Sequence, residues 1–256
     1  MAIICENGLF GVDSATLLPP VISGSTLFAW FAPTTLATPT TYQTTNTSTA
    51  AVADGDPVGN WLDLSGNNYS LIQATSGNRP TLKLNQQNGY PSIRFNGTTT
   101  SLARASALTT TYSAITVVAA FKSTTFTTVG TWIDAQSSSS AGRYVIRSGQ
   151  TSGYWSWSSG SFVTGSAGTA NSWAVLNATF NGASSAFHLN GGTDSTGNIG
   201  TANSPFGSNG ILLGQGGSGG NWCSGDMLEI CYYSGALSNA NRTLVDNYFR
   251  TKYGIW

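Results

Sequence analysis

The chain ends in Gly225-Asp-Met-Leu-Glu-Ile-Cys-Tyr-Tyr-Ser-Gly-Ala-Leu-Ser-Asn-Ala-Asn-Arg-Thr-Leu-Val-Asp-Asn-Tyr-Phe-Arg-Thr-Lys-Tyr-Gly-Ile-Trp256, and this stretch is a fold signature. Over residues 228–233 two sets of side chains alternate, Leu/Ile/Tyr with Glu/Cys/Tyr, which is the period of a β-strand with one buried face. Ser234 and Gly235 then break the strand. The stretch predicts a strand, a tight turn and one helix.

The predicted helix has recognisable ends. Ser238 is placed to cap its N-terminus, because a serine hydroxyl accepts a hydrogen bond from a first-turn amide, and Gly254 is a natural C-terminal stop. The apolar stripe at helical spacing is predicted to consist of Leu244, Val245, Tyr248 and Phe249. No other part of the chain has a helical pattern, so we interpret this helix as a feature of the fold, with no ligand site on its polar face.

The rest of the chain reads as short strands separated by Gly-, Asn- and Ser-rich turns. The predicted strands are Leu27–Phe31, Ser92–Phe95, Ile115–Phe121, Thr131–Asp134, Arg143–Arg147, Tyr154–Trp157, Trp173–Phe180, Ala186–Asn190 and Ile211–Leu213, with a long exposed loop over 34–50. This pattern predicts an all-β fold, a two-sheet antiparallel jelly-roll sandwich with one C-terminal α-helix.

The first 24 residues differ from the remainder and are predicted to form an N-terminal arm, with the sandwich domain spanning 25–256. Pro19-Pro20 cannot continue a central strand. We expect the arm to dock on its own domain or on a partner, in which case its apolar residues would be the anchor. These are Ile3, Ile4, Leu9, Phe10, Leu17 and Leu18.

Composition limits the function. Charged residues make up 8% of the 256 residues and the formal net charge is zero. The seven Arg and three Lys are scattered singly, whereas a nucleic-acid binder needs a basic stripe. No apolar run reaches the roughly 20 residues of a membrane helix. A surface of Ser, Thr, Asn, Gln and Gly suits adhesins, carbohydrate binders and virion proteins.

The N-terminal residues and the cysteines bear on the compartment. Met1-Ala-Ile-Ile-Cys-Glu has no basic segment followed by a long apolar one, so it is not a standard secretory signal, and if Met1 is the native start we expect folding in a cytoplasm. Three cysteines are an odd number and no Cys-x-x-Cys occurs. We therefore expect reduced cysteines in or near the core.

One motif resembles a known family. Gly55-Asp-Pro-Val-Gly-Asn-Trp-Leu-Asp-Leu-Ser-Gly-Asn67 resembles a motif of concanavalin A-like (laminin-G-like) jelly-roll domains. The resemblance continues through 73–75, 78–81, 88–97 and the closing strand and helix. It implies two face-to-face sheets with binding loops on a rim or concave face, as in many bacterial surface proteins and tailed-phage virion proteins.

The motif also has a local explanation. Asp63 can cap the turn that follows it, and Gly66 adopts a positive φ without a steric cost. Trp61 and Phe95 are expected in the core. We therefore predict that this motif builds a turn rather than a ligand site.

The sequence argues against an enzyme. A glycosidase needs two carboxylates close together, but the two glutamates, Glu6 and Glu229, lie at opposite ends of the chain. Asp226 and Glu229 are three residues apart and would point to opposite faces of a regular strand. The one histidine, His188, lies on a predicted strand and is expected to face solvent.

Aromatic and acidic residues supply the candidate binding sites. A glycan platform is predicted from Tyr154, Trp155, Trp157, Asn221 and Trp222, with the alternative that these tryptophans fill the core. No cofactor is required, although Asp54, Asp56 and Asp63 form the nearest approach to a calcium site.

Two functions follow as hypotheses. The first is a non-enzymatic virion structural protein, a capsid decoration, fibre or tail-associated protein made in the host cytoplasm. Its arm would contact other virion proteins, and its lectin-like domain would bind host-surface glycans. The second is a carbohydrate-binding or adhesin module on a bacterial cell surface. A homo-oligomer is compatible with both, and neither involves nucleic acid or membrane insertion.

Overall fold

A computed structural model describes residues 17–34, 38–104, 106–135, 143–149, 153–158, 161–199 and 210–256. The strands are β1 (Leu27–Phe31), β2 (Thr41–Tyr42), β3 (Asn60–Trp61), β4 (Leu71–Ile72), β5 (Thr81–Gln87), β6 (Tyr90–Asn96), β7 (Leu102–Arg104), β8 (Ile115–Ser123), β9 (Gly130–Asp134), β10 (Tyr144–Gly149), β11 (Gly153–Ser158), β12 (Ser161–Ala167), β13 (Trp173–Phe180), β14 (Ser185–Leu189), β15 (Ser195–Gly197), β16 (Ile211–Leu213) and β17 (Ser224–Ser234). One α-helix, α1 (Asn239–Tyr253), follows, and Ser76–Asn78 and Gly182–Ser184 are short 3-10 turns.

The described strands form two antiparallel sheets, which confirms the predicted two-sheet sandwich with one C-terminal helix. Sheet A has the order β15-β14-β13-β8-β17-β6-β5, and β1 also pairs with β17. Sheet B has the order β12-β11-β10-β9-β16-β7-β4-β3-β2. Many neighbours are consecutive in the chain, but β17 lies between β8 and β6, so some residues far apart in the sequence are brought together by strand register.

Sheet A is covered on both faces. Along β8, Val117, Ala119 and Phe121 belong to the core between the sheets, whereas Val118 and Ala120 pack under the helix. This explains why β8 reads as a nearly continuous apolar run rather than an alternating one. The helix therefore covers the outer face of sheet A over β8 and β13.

The ends of α1 are as predicted, but the predicted apolar stripe is wrong at one of its four residues. The Ser238 hydroxyl accepts a hydrogen bond from the Asn241 amide at 3.3 Å, and Gly254 adopts a left-handed conformation with φ 60°. Leu244 is 52% exposed instead of packed. The buried side instead includes the polar residues Arg242, Asp246 and Lys252.

The turn after Trp61 is also as predicted. One carboxylate oxygen of Asp63 accepts hydrogen bonds from the Ser65 and Trp30 amides at 2.9 and 3.0 Å, and the other accepts one from the Tyr69 amide at 3.0 Å. Gly66 has φ 91°. Trp61 and Phe95 lie in the core. The loop over 34–50 is less exposed than predicted, because it contains β2 and buried Thr40 and Thr41.

The described part of the predicted arm lies on its own domain. Ile22 is buried with the helix-side cluster and Leu17 packs against it. The Tyr233 hydroxyl donates to the Pro20 carbonyl at 3.1 Å. Leu18 is 64% exposed, and Ile3, Ile4, Leu9 and Phe10 lie outside the described residues. A partner contact of the arm and its boundary at residue 24 stay predictions.

Two further sequence-based expectations can be compared with the structure. Cys223 and Cys231 are free and buried, as expected of reduced core cysteines, whereas Cys5 lies outside the described residues. Burial raises the pKa of both thiols well above the ordinary value. Among the described residues, no helix is long and apolar enough to cross a membrane.

Candidate functional site, a polar cleft at the end of sheet A

A cleft of about 540 Å³ opens where β6 and β8 end and β17 begins. Small-molecule sites typically have volumes of about 300–1,000 Å³, so the cleft is large enough for a ligand. It is lined by Gly77, Arg79, Thr81, Arg94, Phe95, Asn96, Thr100, Lys122, Thr124, Asn171, Ser224, Gly225 and Asp226.

Asp226 is the acidic residue of this cleft and is held by two cations. It is 1% exposed and lies opposite Arg94 on β6 and opposite Lys122 on β8. Arg94 forms a two-pronged pair with it, Nε to Oδ1 at 2.7 Å and Nη2 to Oδ2 at 2.9 Å. The Lys122 Nζ lies 3.0 Å from Oδ2. The pair also raises the pKa of Arg94, so this guanidinium stays charged.

The close pairing that aligns these groups depends on a glycine. Gly225 has φ 142°, and a Cβ atom there would collide with the carbonyl oxygen of Lys122. A side chain at position 225 would therefore push β17 away from β8 and separate Asp226 from Lys122.

A third cation and several neutral groups complete the lining. Arg79 precedes β5, and its Nε and Nη2 donate to the Gln73 and Ala74 carbonyls at 3.1 and 3.2 Å. The neutral hydrogen-bonding side chains are those of Asn96, Thr100, Thr124, Asn171 and Ser224, together with Thr81. An aromatic ring adjoins them, because the Lys122 Nζ lies 4.8 Å from the centre of the Trp173 ring. The cleft thus combines positive charge, amides, hydroxyls and a neighbouring tryptophan.

The prediction that Asp226 and Glu229 point to opposite faces is wrong, because β17 contains a bulge. The register against β8 shifts between Met227 and Glu229. Met227 and Ile230 therefore both enter the core between the sheets although they are three residues apart. The bulge places Asp226 and Glu229 on the same, outer face of sheet A.

Glu229 is nevertheless isolated from solvent under α1. It is 0% exposed, and its Oε1 accepts hydrogen bonds from the Trp30 indole at 2.5 Å and the Tyr248 hydroxyl at 2.7 Å. Its Oε2 accepts from Lys252 at 2.8 Å and from the Tyr253 hydroxyl at 2.6 Å. Every oxygen is satisfied within the chain, so Glu229 fastens the helix to the sheet.

The expectation that His188 faces solvent is also wrong. Its Nε2 lies 2.8 Å from an Asp246 carboxylate oxygen and its Nδ1 lies 2.7 Å from one of Asp194. Arg242 reaches the same Nδ1 at 2.9 Å and donates to Asn177 at 3.0 Å. These five side chains join β13 and β14 to the buried side of the helix. The outward-facing strand position is buried because α1 covers it.

The predicted glycan platform is only partly described. Tyr154 is buried and packs on Phe121 and Phe126, with ring centres 5.4 and 5.1 Å apart, so it is a core residue rather than a platform. The backbone of Trp155 and Trp157 lies in β11, and their side chains lie outside the described part of the structure.

Strand register brings the two halves of that predicted platform into one row. Trp222 is partly buried and forms a bridge with Thr131, while the exposed Asn221 precedes it. Thr131 lies opposite Arg147, which lies opposite Trp155. The row runs across sheet B and not along the cleft.

The three carboxylates of the predicted calcium site serve separate local roles. Asp54 pairs with Lys83 and accepts from the Leu84 amide at 2.9 Å. Asp56 accepts from the Val52 and Ala53 amides at 2.9 and 2.8 Å, and Asp63 caps its own turn. Within the described ranges, no three His, Cys, Asp or Glu side chains group as metal ligands.

Comparison with known proteins gives similarity in fold. No family model and no curated protein matches the sequence. A mutant GH54 α-L-arabinofuranosidase soaked with 4-nitrophenyl α-L-arabinofuranoside matches with a TM-score of 0.60 at 15% identity, over 78% of this chain and 52% of that chain. This chain therefore spans about half the length of that arabinofuranosidase.

Two other solved structures are similar. Domain 4 of AbnA, a GH43 extracellular arabinanase from Geobacillus stearothermophilus in complex with arabinotriose, has a TM-score of 0.54 at 14% identity, over 87% of this chain and 98% of that chain. A Trypanosoma rangeli sialidase in complex with sialic acid has a TM-score of 0.55 at 10% identity, over 91% and 36%. At identities this low the likeness shows the fold, a β-sandwich that occurs in carbohydrate-active proteins.

Proposed function

We propose that this protein is a carbohydrate-binding β-sandwich domain whose ligand site is the cleft around Asp226. The observation that carries the proposal is the lining of this cleft, in which amide, hydroxyl and cationic side chains converge beside Trp173. Sugars present hydroxyl groups at their edges and apolar C–H faces, so they need this combination of polar groups and an aromatic ring. The similar fold of proteins solved with arabinotriose or sialic acid supports the same function.

Binding without hydrolysis fits the charges of the cleft. A retaining glycosidase uses two carboxyl groups about 5–5.5 Å apart, one of which attacks the sugar. In this cleft Asp226 is the acidic lining residue, and both of its oxygens are engaged by Arg94 and Lys122. Glu229 lies on the same face but is buried under the helix. Because its carboxylate is held in these ion pairs, we assign Asp226 a structural and electrostatic role.

The proposal is tested by titrating the protein calorimetrically with a panel of oligosaccharides that includes arabinotriose, lactose and sialyllactose. Asn171→Gly removes an amide from the cleft, and we expect it to weaken binding about fivefold, the effect of losing one hydrogen bond. The matched control is Asn68→Gly, because both asparagines are exposed and have a positive φ, 61° and 59°. Equal affinities of the two variants would contradict the cleft assignment.

Display on a virion stays a prediction from the sequence. None of the structures named above is a virion protein. Residues 17–24 pack on their own domain, and the remaining apolar arm residues lie outside the described ranges. Deleting residues 1–16 and measuring association with virus particles would test the anchoring role. A truncated protein that still associates with particles would refute it.

A further inference from the structure

We propose that the cleft selects acidic saccharides, sugars that carry a carboxylate or a sulfate group. The proposal rests on the proposed carbohydrate-binding function and names the class of ligand for the same site. It follows from an excess of positive charge in the cleft over the one negative charge of Asp226.

The cleft collects cations from a chain that has few. The sequence contains ten Lys and Arg residues against ten Asp and Glu residues. Among the described residues, three of these cations, Arg79, Arg94 and Lys122, line the cleft together with one carboxylate, that of Asp226. One surface depression of a protein with no net charge therefore carries two positive charges more than negative ones. Clefts lined by one sign of charge focus the field and attract ligands of the opposite sign.

Stability of the buried carboxylate does not account for this excess. Glu229, which is more deeply buried, forms an ion pair with one cation, Lys252, and takes its other hydrogen bonds from neutral groups. Asp134 is 0% exposed and forms an ion pair with Arg143. Asp226 forms ion pairs with two cations, and Arg79 adds a third at the same cleft without a bond to Asp226.

The orientation of Arg94 suits an incoming anion. Asp226 engages its Nε and Nη2 atoms, which leaves Nη1 outside the pair, and 42% of the side chain is exposed. The bidentate pair fixes the guanidinium plane before a ligand arrives, which lowers the entropy lost on binding. Nη2 also donates to the Gln86 side-chain oxygen at 3.3 Å, so Nη1, with two N–H groups, is the nitrogen placed to donate to a carboxylate or sulfate oxygen.

The experiment compares saccharides that differ in charge. Calorimetric titrations at low salt use sialyllactose with lactose, hexagalacturonate with its methyl ester, and sulfated with unsulfated isomaltohexaose. We expect at least one acidic member to bind about tenfold or more tightly than its neutral counterpart, since charge-assisted hydrogen bonds are about twice as strong as neutral ones. The first two pairs report on carboxylates and the third on sulfates. Added salt should reduce the difference by screening.

Variants locate the effect. Arg79→Gln removes one cleft cation and leaves both ion pairs of Asp226 intact, and we expect about a tenfold loss of affinity for the acidic saccharide. Lys83→Gln is the matched control, because it removes a nearby positive charge that pairs with Asp54 and does not line the cleft. Melting temperatures within a few degrees of the wild type would show that both variants fold.

The outcomes separate the two proposals. Equal affinity for acidic and neutral saccharides, with binding still weakened by Asn171→Gly, would overturn the acidic selectivity and leave the carbohydrate site standing. No binding to any saccharide would overturn both. Equal losses in Arg79→Gln and Lys83→Gln, or tighter binding of a single-stranded oligonucleotide than of every saccharide, would overturn the selectivity proposal.

Discussion

Two carboxylates on β17 lie on the same face of sheet A but in different surroundings. Glu229 lies under α1, where Trp30, Tyr248, Lys252 and Tyr253 occupy both of its oxygens. Asp226 lies at the foot of an open cleft, and its partner Arg94 remains 42% exposed. The two residues are three positions apart and equally removed from water.

The role of a buried carboxylate depends on whether its hydrogen-bonding partners are buried or exposed. Around Glu229 three of the donors are buried and the fourth, Trp30, is half-buried, so the cluster is closed and its contribution is to fix the helix. Around Asp226 the cations extend from a buried carboxylate to a solvent-filled cleft, so their remaining donors can reach a ligand. Burial of the acid is the same in both regions, and the exposure of its partners is what distinguishes them.

The largest expected effect comes from breaking the closed region. Glu229→Ala leaves the buried Lys252 ammonium without its counter-charge, and removal of one partner of a buried pair costs about 3–5 kcal/mol. We expect this loss in the free energy of unfolding measured with urea. The double variant Glu229→Ala/Lys252→Met removes the unpaired ammonium as well and should recover part of this loss, and a double variant as unstable as the single one would contradict the ion-pair explanation.

The same experiment on the open region should give a smaller loss. Asp226→Ala leaves Arg94 and Lys122 able to turn toward water, so we expect a decrease of about 1–2 kcal/mol in the free energy of unfolding. Urea denaturation of this variant beside Glu229→Ala measures the contrast directly. A loss as large as that of Glu229→Ala would mean that the two regions do not differ in the way described here.

The helix α1, which covers Glu229, can be weakened at its N-terminus. Ser238→Ala removes the N-cap of α1 and should lower the free energy of unfolding by about 1 kcal/mol. Saccharide affinity should stay unchanged, because the cap lies outside the cleft. Ser218→Ala, at an exposed position, is the matched control for both measurements. A change in affinity for Ser238→Ala alone would show that the helix and the cleft are coupled.

The smallest expected effect is the contribution of Asp194 to stability at low pH. Partial burial of Asp194 disfavours its charged form, but hydrogen bonds from Arg242 and His188 outweigh this and lower its pKa below the ordinary 3.8. Its stabilisation is therefore present above pH 3.8 and is lost as the pH falls through the lowered pKa. The Asp194→Asn variant should lose less stability than the wild type between pH 4 and 2, measured by thermal melting. Parallel curves for the two proteins would contradict this contribution.

Local structure was the part that the sequence could predict. The strand Trp173–Phe180, the cap at Ser238 and the turn at Asp63 each depend on residues within a few positions of one another. Leu244 was assigned to the wrong side of the helix because helical spacing alone does not say which neighbouring stripe meets the sheet. The buried stripe includes Arg242, Asp246 and Lys252, whose charges are satisfied by partners on distant strands.

The candidate site could not be predicted, because it depends on register and on a bulge. Arg94, Lys122 and Asp226 are far apart in the sequence and become neighbours only because β6 and β8 pair on either side of β17. A bulge of one residue reverses the face on which Glu229 lies, and neither its position nor its existence follows from an alternating pattern. His188 is likewise buried because Arg242 and Asp246 of the helix contact it.

Mapping the saccharide contact by NMR tests most directly whether the cleft around Asp226 is the binding site. Isotope-labelled protein is titrated with sialyllactose, hexagalacturonate and sulfated isomaltohexaose, and the backbone amide shifts are followed. If the cleft around Asp226 binds the saccharide, the largest shifts fall on residues 94–97, 122–124, 171–173 and 224–226. Largest shifts over 153–158 and 214–222, or no shift with any of these saccharides, would contradict it.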